Sequence, residues 1–180
     1  MSQYNYHEIE KLANEKEQEN IAFRIFLKSY DGLSDAELDK LVFKITDKVS
    51  ADIDCTSCGQ CCRQLQPLLT PQDEQRLAAR LAMTTEQLEQ KYLEYEDSEG
   101  EAGWQIKKVP CPFLKSNKCS VYDDRPQNCR DYPYLHKPDF SYRTLAMLGR
   151  AFTCPIVFYV LEELKRELNF DADDFNDLMW

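Results

Sequence analysis

Cys55-Thr56-Ser57-Cys58-Gly59-Gln60-Cys61-Cys62 places four thiols in one short stretch, two of them adjacent. A hydrophobic core has no use for that spacing in so polar a local sequence. A soft metal ion does, because several sulfurs must converge on a small volume. Cys55-x2-Cys58 is the pair spacing of zinc knuckles and iron–sulfur loops, where a tight turn brings both sulfurs onto one ion. Gly59 follows at the point where such a turn wants a residue free to take positive φ. Cys58-x2-Cys61 repeats the spacing. Cys62 differs, because neighbouring Cα atoms about 3.8 Å apart send their side chains apart. The vicinal pair therefore suits two neighbouring metals, or one metal and a bridging position.

Four further cysteines are dispersed: Cys111, Cys119 and Cys129 in a proline-rich stretch, and Cys154 just before Pro155. The chain thus offers eight thiolates, enough for two four-sulfur sites or one multinuclear cluster. With only two His, it does not encode a Cys2His2 pattern. Disulfides would require an exported chain, and Cys61-Cys62 would be a strained choice of partners. Inert buried thiols are common singly, not in so dense a run. Cys154 has a second reading as a redox thiol, its thiolate favoured at the start of a helix.

The composition is that of a soluble globular domain, 43% apolar and 30% charged. Its 180 residues can bury a real core. A formal charge of −10, from 22 basic against 32 acidic residues, repels phosphate backbones and anionic lipid, so neither nucleic acid nor a membrane surface is an expected partner. No apolar run is long enough to span a bilayer, and the N-terminus does not read as a signal peptide. A cytoplasmic location is expected, where thiols stay reduced and serve as ligands or catalysts before disulfides.

The cysteine run is flanked by helical patterns. One helix is expected over 7–30, stopped by Asp31-Gly32. Ser34 and Glu37 form a capping box for the next, with Leu38, Leu41, Val42, Ile45 and Val49 on one face. Thr70-Pro71 starts a third, with Leu77, Ala78, Leu81 and Ala82 as its buried stripe. Thr84 and Gln87 cap a fourth, in which Leu88, Tyr92 and Tyr95 share a face, before an acidic loop at 94–101. A short helix is expected at 141–152, and Cys154-Pro155 opens the last, with Val157, Val160, Leu161, Leu164 and Leu168 in register. Between them, Trp104–Ile106 and Lys118–Tyr122 alternate and suggest an irregular β-hairpin turning at 115–117. The expected fold is mainly α: a helical domain with a small irregular β region organised around a cysteine metal centre. Residues 1–50 form an N-terminal helical segment, and 51–180 the cysteine-cluster domain with its C-terminal helix, within one compact unit.

Other chemistry-bearing residues have ordinary readings. His136 could be a ligand or acid/base group, but more often such a residue is a satisfied surface histidine. Arg125 and Arg130 flank Cys129 and could offset thiolate charge. Asp123-Asp124 fits a turn better than a carboxylate dyad. Trp104, Tyr122, Tyr132 and Tyr134 fit packing, and Trp180 could dock on the domain or a partner. No catalytic constellation is recognisable.

The string Cys55-x2-Cys58-Gly59-x-Cys61-Cys62 followed by Leu69-Thr70-Pro71-x-Asp73 resembles the YkgJ family of cysteine-cluster proteins. Cys111-Pro112-Phe113-Leu114, Cys119-x-Val121-Tyr122, Arg125-Pro126-x2-Cys129-Arg130 and Tyr132-Pro133 resemble its second half. The resemblance covers roughly residues 50–135, extending toward Cys154-Pro155. It implies a zinc- or iron-chelating domain, carries over Cys55, Cys58, Cys61, Cys62, Cys111, Cys119 and Cys129 as ligands, and brings no settled reaction. Three functions remain open: a metal-binding protein holding zinc or iron; an iron–sulfur redox or accessory protein, or an enzyme acting on a peptide or protein; and a metal carrier or sensor. The expected cofactor is zinc, iron or an iron–sulfur cluster, and a protein partner is left open.

Overall fold

The structure, a computed structural model, describes residues 8–97 and 102–178. It begins with helices α1 (Ile9–Glu15), α2 (Glu17–Ser29) and α3 (Asp35–Asp52). The cysteine run forms two short helices, α4 (Cys55–Cys58) and α5 (Gln60–Gln64), followed by α6 (Pro71–Arg80) and α7 (Thr85–Tyr92). Strands β1 (Leu93–Glu96), β2 (Gly103–Ile106), β3 (Leu114–Lys115) and β4 (Lys118–Cys119) come next. A 3-10 turn at Tyr122–Asp124 leads into α8 (Gln127–Asp131), α9 (Phe140–Ala151) and α10 (Pro155–Glu167), with a second 3-10 turn at Asp173–Leu178. The fold is mainly α with two small antiparallel hairpins, as the sequence suggests.

These elements form two compact units, one of residues 1–54 with 133–180 and the other of residues 55–132. The chain therefore leaves a helical unit just before Cys55, builds the cysteine unit, and returns to the helical unit at Pro133. Helix α10 packs on α3 and α9. The reason lies in its composition. Val157, Val160, Leu161 and Leu164 are wholly buried, and the stripe Leu38, Val42, Ile45 and Val49 of α3 gives them a partner face. Each such side chain contributes about 1.5–3 kcal/mol when fully buried.

The α3 capping box forms as expected, with Ser34 and Glu37 each closing on the other's backbone N–H. The first helix departs from expectation. Residues 9–29 divide at Lys16, which sits at φ −103, ψ 5 between α1 and α2. Lys16 Nζ pairs with Glu19 at 2.5 Å. Glu19 in turn meets the buried Lys165 of α10 at 2.9 Å, so the break coincides with an ion-pair network on the helical core. The start of α9 is capped across space. Asp139 lies in the left-handed region and makes no capping bond of its own; the buried Asp39 carboxylate of α3 accepts from Asp139 N and Phe140 N, both at 2.9 Å.

In the cysteine unit, α6 and α7 carry capping boxes from Thr70 with Asp73 and Thr84 with Gln87. The expected α6 stripe is shortened, because the helix ends at Arg80 and the exposed Ala82 turns through φ 52. Likewise α7 ends at Tyr92, and Tyr95 lies exposed on a strand rather than on the helix face with Leu88. The predicted turn at 115–117 is real, joining β3 to β4. Trp104–Ile106, however, pairs with β1 and not with 118–122: Tyr95 opposes Trp104, and Leu93 opposes Ile106. Part of the expected acidic loop is therefore strand, and residues 98–101 lie outside the described residues. Leu69, Leu77, Ala78, Leu88, Leu93, Ile106, Phe113 and Val121 make the core of this unit, with Cys111 and Cys119 packed against it.

Candidate metal centre

The cysteine run folds as its spacing demands. Cys55 and Cys58 sit one helical turn apart in α4, on a common side. Gly59 then takes φ 64, ψ 9, the left-handed conformation expected of it, and reverses the chain into α5. Cys61 and Cys62 stand in the first turn of α5. Arg63 ties the turn down: its guanidinium donates to Gly59 O at 3.1 Å and makes a short hydrogen bond to Asn117 Oδ1 in the β3–β4 turn. In this way the first thiol group is fastened to the hairpin that carries Cys119.

A second fastening runs through the backbone. Cys111 N donates to Cys62 O at 2.7 Å, and Leu114 N to Cys111 O at 2.9 Å. The strand-like segment after α5 lies along β2, with Leu69 N on Trp104 O at 2.8 Å and Ile106 N on Pro67 O at 3.2 Å. Asn128 Nδ2 donates to Leu68 O at 3.0 Å, which holds α8 and its Cys129 beside that segment.

Cys62, Cys111, Cys119 and Cys129 lie close enough for charge on one to act on the others. The charge of Cys62 acts on Cys111, Cys119 and Cys129, and these three raise or are raised by one another. A hydrogen bond from the Cys61 thiol lowers Cys62 to about 7, with Arg63 assisting against the opposing effect of burial. Burial pushes Cys111 up to about 11 and Cys129 up to about 12; it also raises Cys119, which Arg125 partly offsets. Arg125 thus has the charge-balancing effect expected of it, while stacking on Tyr122 at 3.8 Å. Arg130 instead holds the backbone, donating to Arg125 O at 3.2 Å and to Asp123 O.

All eight cysteines are thiols. Cys55 is exposed, and Cys58, Cys61, Cys62, Cys111, Cys119 and Cys129 are half-buried. Cys154 belongs to the helical unit, where it is buried at the N-cap of α10 without a side-chain capping bond. His136 also lies there, bonded to Asp47 at 2.9 Å and tilted against Phe43. Asp124 pairs with Arg80 at 3.3 Å within the 3-10 turn, as a turn residue would. Trp104 meets Tyr95 edge-on, a packing role. Trp180 lies outside the described residues.

The sequence does not single out Arg63, Arg76 and Asn128, which position the segments that carry the thiols, and marks Asn117 only as part of a turn. Beyond that turn, only the Thr70–Asp73 cap left a signal in the sequence.

The sequence pattern of the CxxCxxCC family, described as a "putative zinc- or iron-chelating domain", matches residues 54–147, about half of the chain. The chain belongs to that family. Neither a curated protein nor a solved structure matches it significantly. Among the described residues no helix is long and apolar enough to cross a membrane.

The donors suit the metal that this family description names. They are soft thiols, most of them partly withdrawn from water. Among the described residues, no three Cys, His, Asp or Glu side chains already stand as a metal-holding group.

Proposed function

We propose that the protein binds zinc or iron through Cys62, Cys111, Cys119 and Cys129, with Cys61 beside Cys62 and the Cys55/Cys58 turn flanking them. The carrying observation is the set of bonds that ties the thiol-bearing segments together: Cys111 N on Cys62 O at 2.7 Å, Arg63 of α5 on Asn117 in the turn before Cys119, and Asn128 of α8 on Leu68 O at 3.0 Å. Four thiolates complete a tetrahedral shell for zinc and are equally the ligand count of an iron–sulfur cluster. The bound metal would supply charge neutralisation and cross-linking to a unit whose β elements are very short. The protein's own contribution is to hold the thiols close and shield them partly from water. We read Cys154 as a packing thiol of the helical unit, since it is buried there with apolar neighbours on α10.

A structural role is favoured over redox transfer or carriage by the way the thiols are distributed. They come from α5, from the loop before β3, from β4 and from α8, so one ion would join segments that share few strand hydrogen bonds. Purification without oxygen, followed by elemental analysis and a visible spectrum, tests the reading. Stoichiometric zinc in a colourless protein, lost in Cys62→Ser, is expected for a zinc centre. A brown protein that bleaches with dithionite would move the assignment to an iron–sulfur cluster. Absence of zinc and iron, with no uptake of either, would overturn it.

A further inference from the structure

Asp73 is a carboxylate of the cysteine unit buried to 1% exposure, and it is not a ligand candidate by spacing. Its oxygens are fully engaged. Oδ2 accepts from Thr70 N at 3.0 Å, and Oδ1 accepts from Arg76 Nη2 at 2.5 Å and from Gln127 N at 3.0 Å. Only the first of these bonds is needed to cap α6. The third reaches across to the first residue of α8, two positions before Cys129.

Arg76 extends the same grip. Its Nη2 donates to Arg125 O at 2.9 Å and its Nε to Asp124 O at 3.3 Å. Asp73 and Arg76 thus hold the backbone from Asp124 to Gln127, and Arg80 adds a pairing to the Asp124 carboxylate at 3.3 Å. A charged pair with a buried carboxylate fixes geometry firmly, because leaving that carboxylate unpaired in the interior is costly. A five-residue helix such as α8 cannot fix its own direction.

We infer that Asp73, with Arg76, is a positioning residue of the metal centre: it sets where α8 presents the Cys129 thiol. The inference rests on the metal-binding reading above. A group bonded directly to a ligand is commonly worth about 10–100-fold in metal affinity, and this contact, made two residues from Cys129, is expected at the lower end of that range.

Co2+ is the probe, since its thiolate charge-transfer and ligand-field bands report how many sulfurs bind it. The full-length chain, stripped of metal under argon, is titrated with Co2+ alongside Cys129→Ser, Asp73→Asn and Gln127→Pro. Asp73→Asn leaves shape unchanged and removes the charge. Gln127→Pro deletes the N–H that Asp73 accepts, at a first helical position where proline is tolerated, and leaves the Thr70 cap of α6 untouched. Both should keep their far-ultraviolet helical signal, bind Co2+ at least about tenfold more weakly, and show the thiolate band reduced as in Cys129→Ser. If Asp73→Asn loses helix, Gln127→Pro decides. Parent-like affinity and spectra in the folded variants would overturn the inference and leave the metal reading standing. A parent chain that takes up no Co2+ would overturn both.

Discussion

A Cβ at position 59 would stand 2.9 Å from Arg63 Nη1 and 3.3 Å from Leu114 Cδ1, on a backbone already at φ 64. The arginine tip could move, but it would have to leave Gly59 O and Asn117, the bonds that fasten α5 to the hairpin. Gly59→Ala should therefore cost about 1–2 kcal/mol from the left-handed backbone alone. A urea unfolding midpoint unchanged from the parent would contradict this. At the neighbouring thiols the direction of the acidity shifts sets how metal uptake depends on pH. Burial holds Cys111 near 11 and Cys129 near 12, so both carry protons at neutral pH that a metal must displace. Affinity should fall as pH falls, and binding should acidify a weakly buffered solution. Uptake of zinc without proton release would count against thiolate ligation. At this scale the sequence was highly legible: the run Cys55–Cys62 declared both its chemistry and its need for glycine. It could not reveal that Arg63 and Asn117 would meet, because nothing local marks a side-chain bond between residues so far apart in the chain.

Helix α9 begins without a cap of its own, and α3 provides one through Asp39. Replacing Asp39 by Ala strands the Asp139 and Phe140 N–H groups; the second is buried, and leaving a buried N–H unpaired costs about 1–3 kcal/mol. The melting temperature should drop by several degrees; an unchanged one would show that water satisfies those groups. Asp73 makes the corresponding contact in the cysteine unit and brings a pH dependence. Burial alone would raise its acidity constant, yet the hydrogen bonds from Thr70, Arg76 and Gln127 prevail and hold it below the ordinary 3.8. The folded chain then binds fewer protons than the unfolded chain near that pH. The contribution is complete above the unfolded value and is lost as pH falls through the folded one. The parent should lose stability on acidification through that window more steeply than Asp73→Asn, and parallel curves would contradict the assignment. Capped, periodic helices were the elements best read from sequence, since Ser34, Thr70 and Thr84 each signal a start locally. The pairing of β1 with β2 was missed because Leu93–Glu96 continues a helical pattern, and its strand state depends on Trp104–Ile106 arriving beside it. The division at Lys16 was missed for a similar reason, since Lys165 and Glu162 come from the far end of the chain.

Over the whole chain, segments before and after the cysteine stretch form one helical unit, and residues 55–132 form the other unit. Sequence periodicity could show that α10 is amphipathic but not which face would receive it, so the grouping of α10 with α3 was not legible. The cysteine unit has its own apolar core, yet its strands β3 and β4 are two residues each. Such short pairings are marginal alone, and metal binding adds its free energy to folding. Removing the metal with a chelator should speed amide exchange at Cys111–Cys129 while α3 and α10 keep their protection. Uniform loss of protection across both units, or none in either, would contradict a local structural role. The most direct test of the central claim is X-ray absorption at the metal edge of the anaerobically purified protein. The account predicts a first shell made of sulfur alone, at about 2.3 Å for zinc. A shell dominated by nitrogen or oxygen at about 2.0–2.2 Å would contradict it.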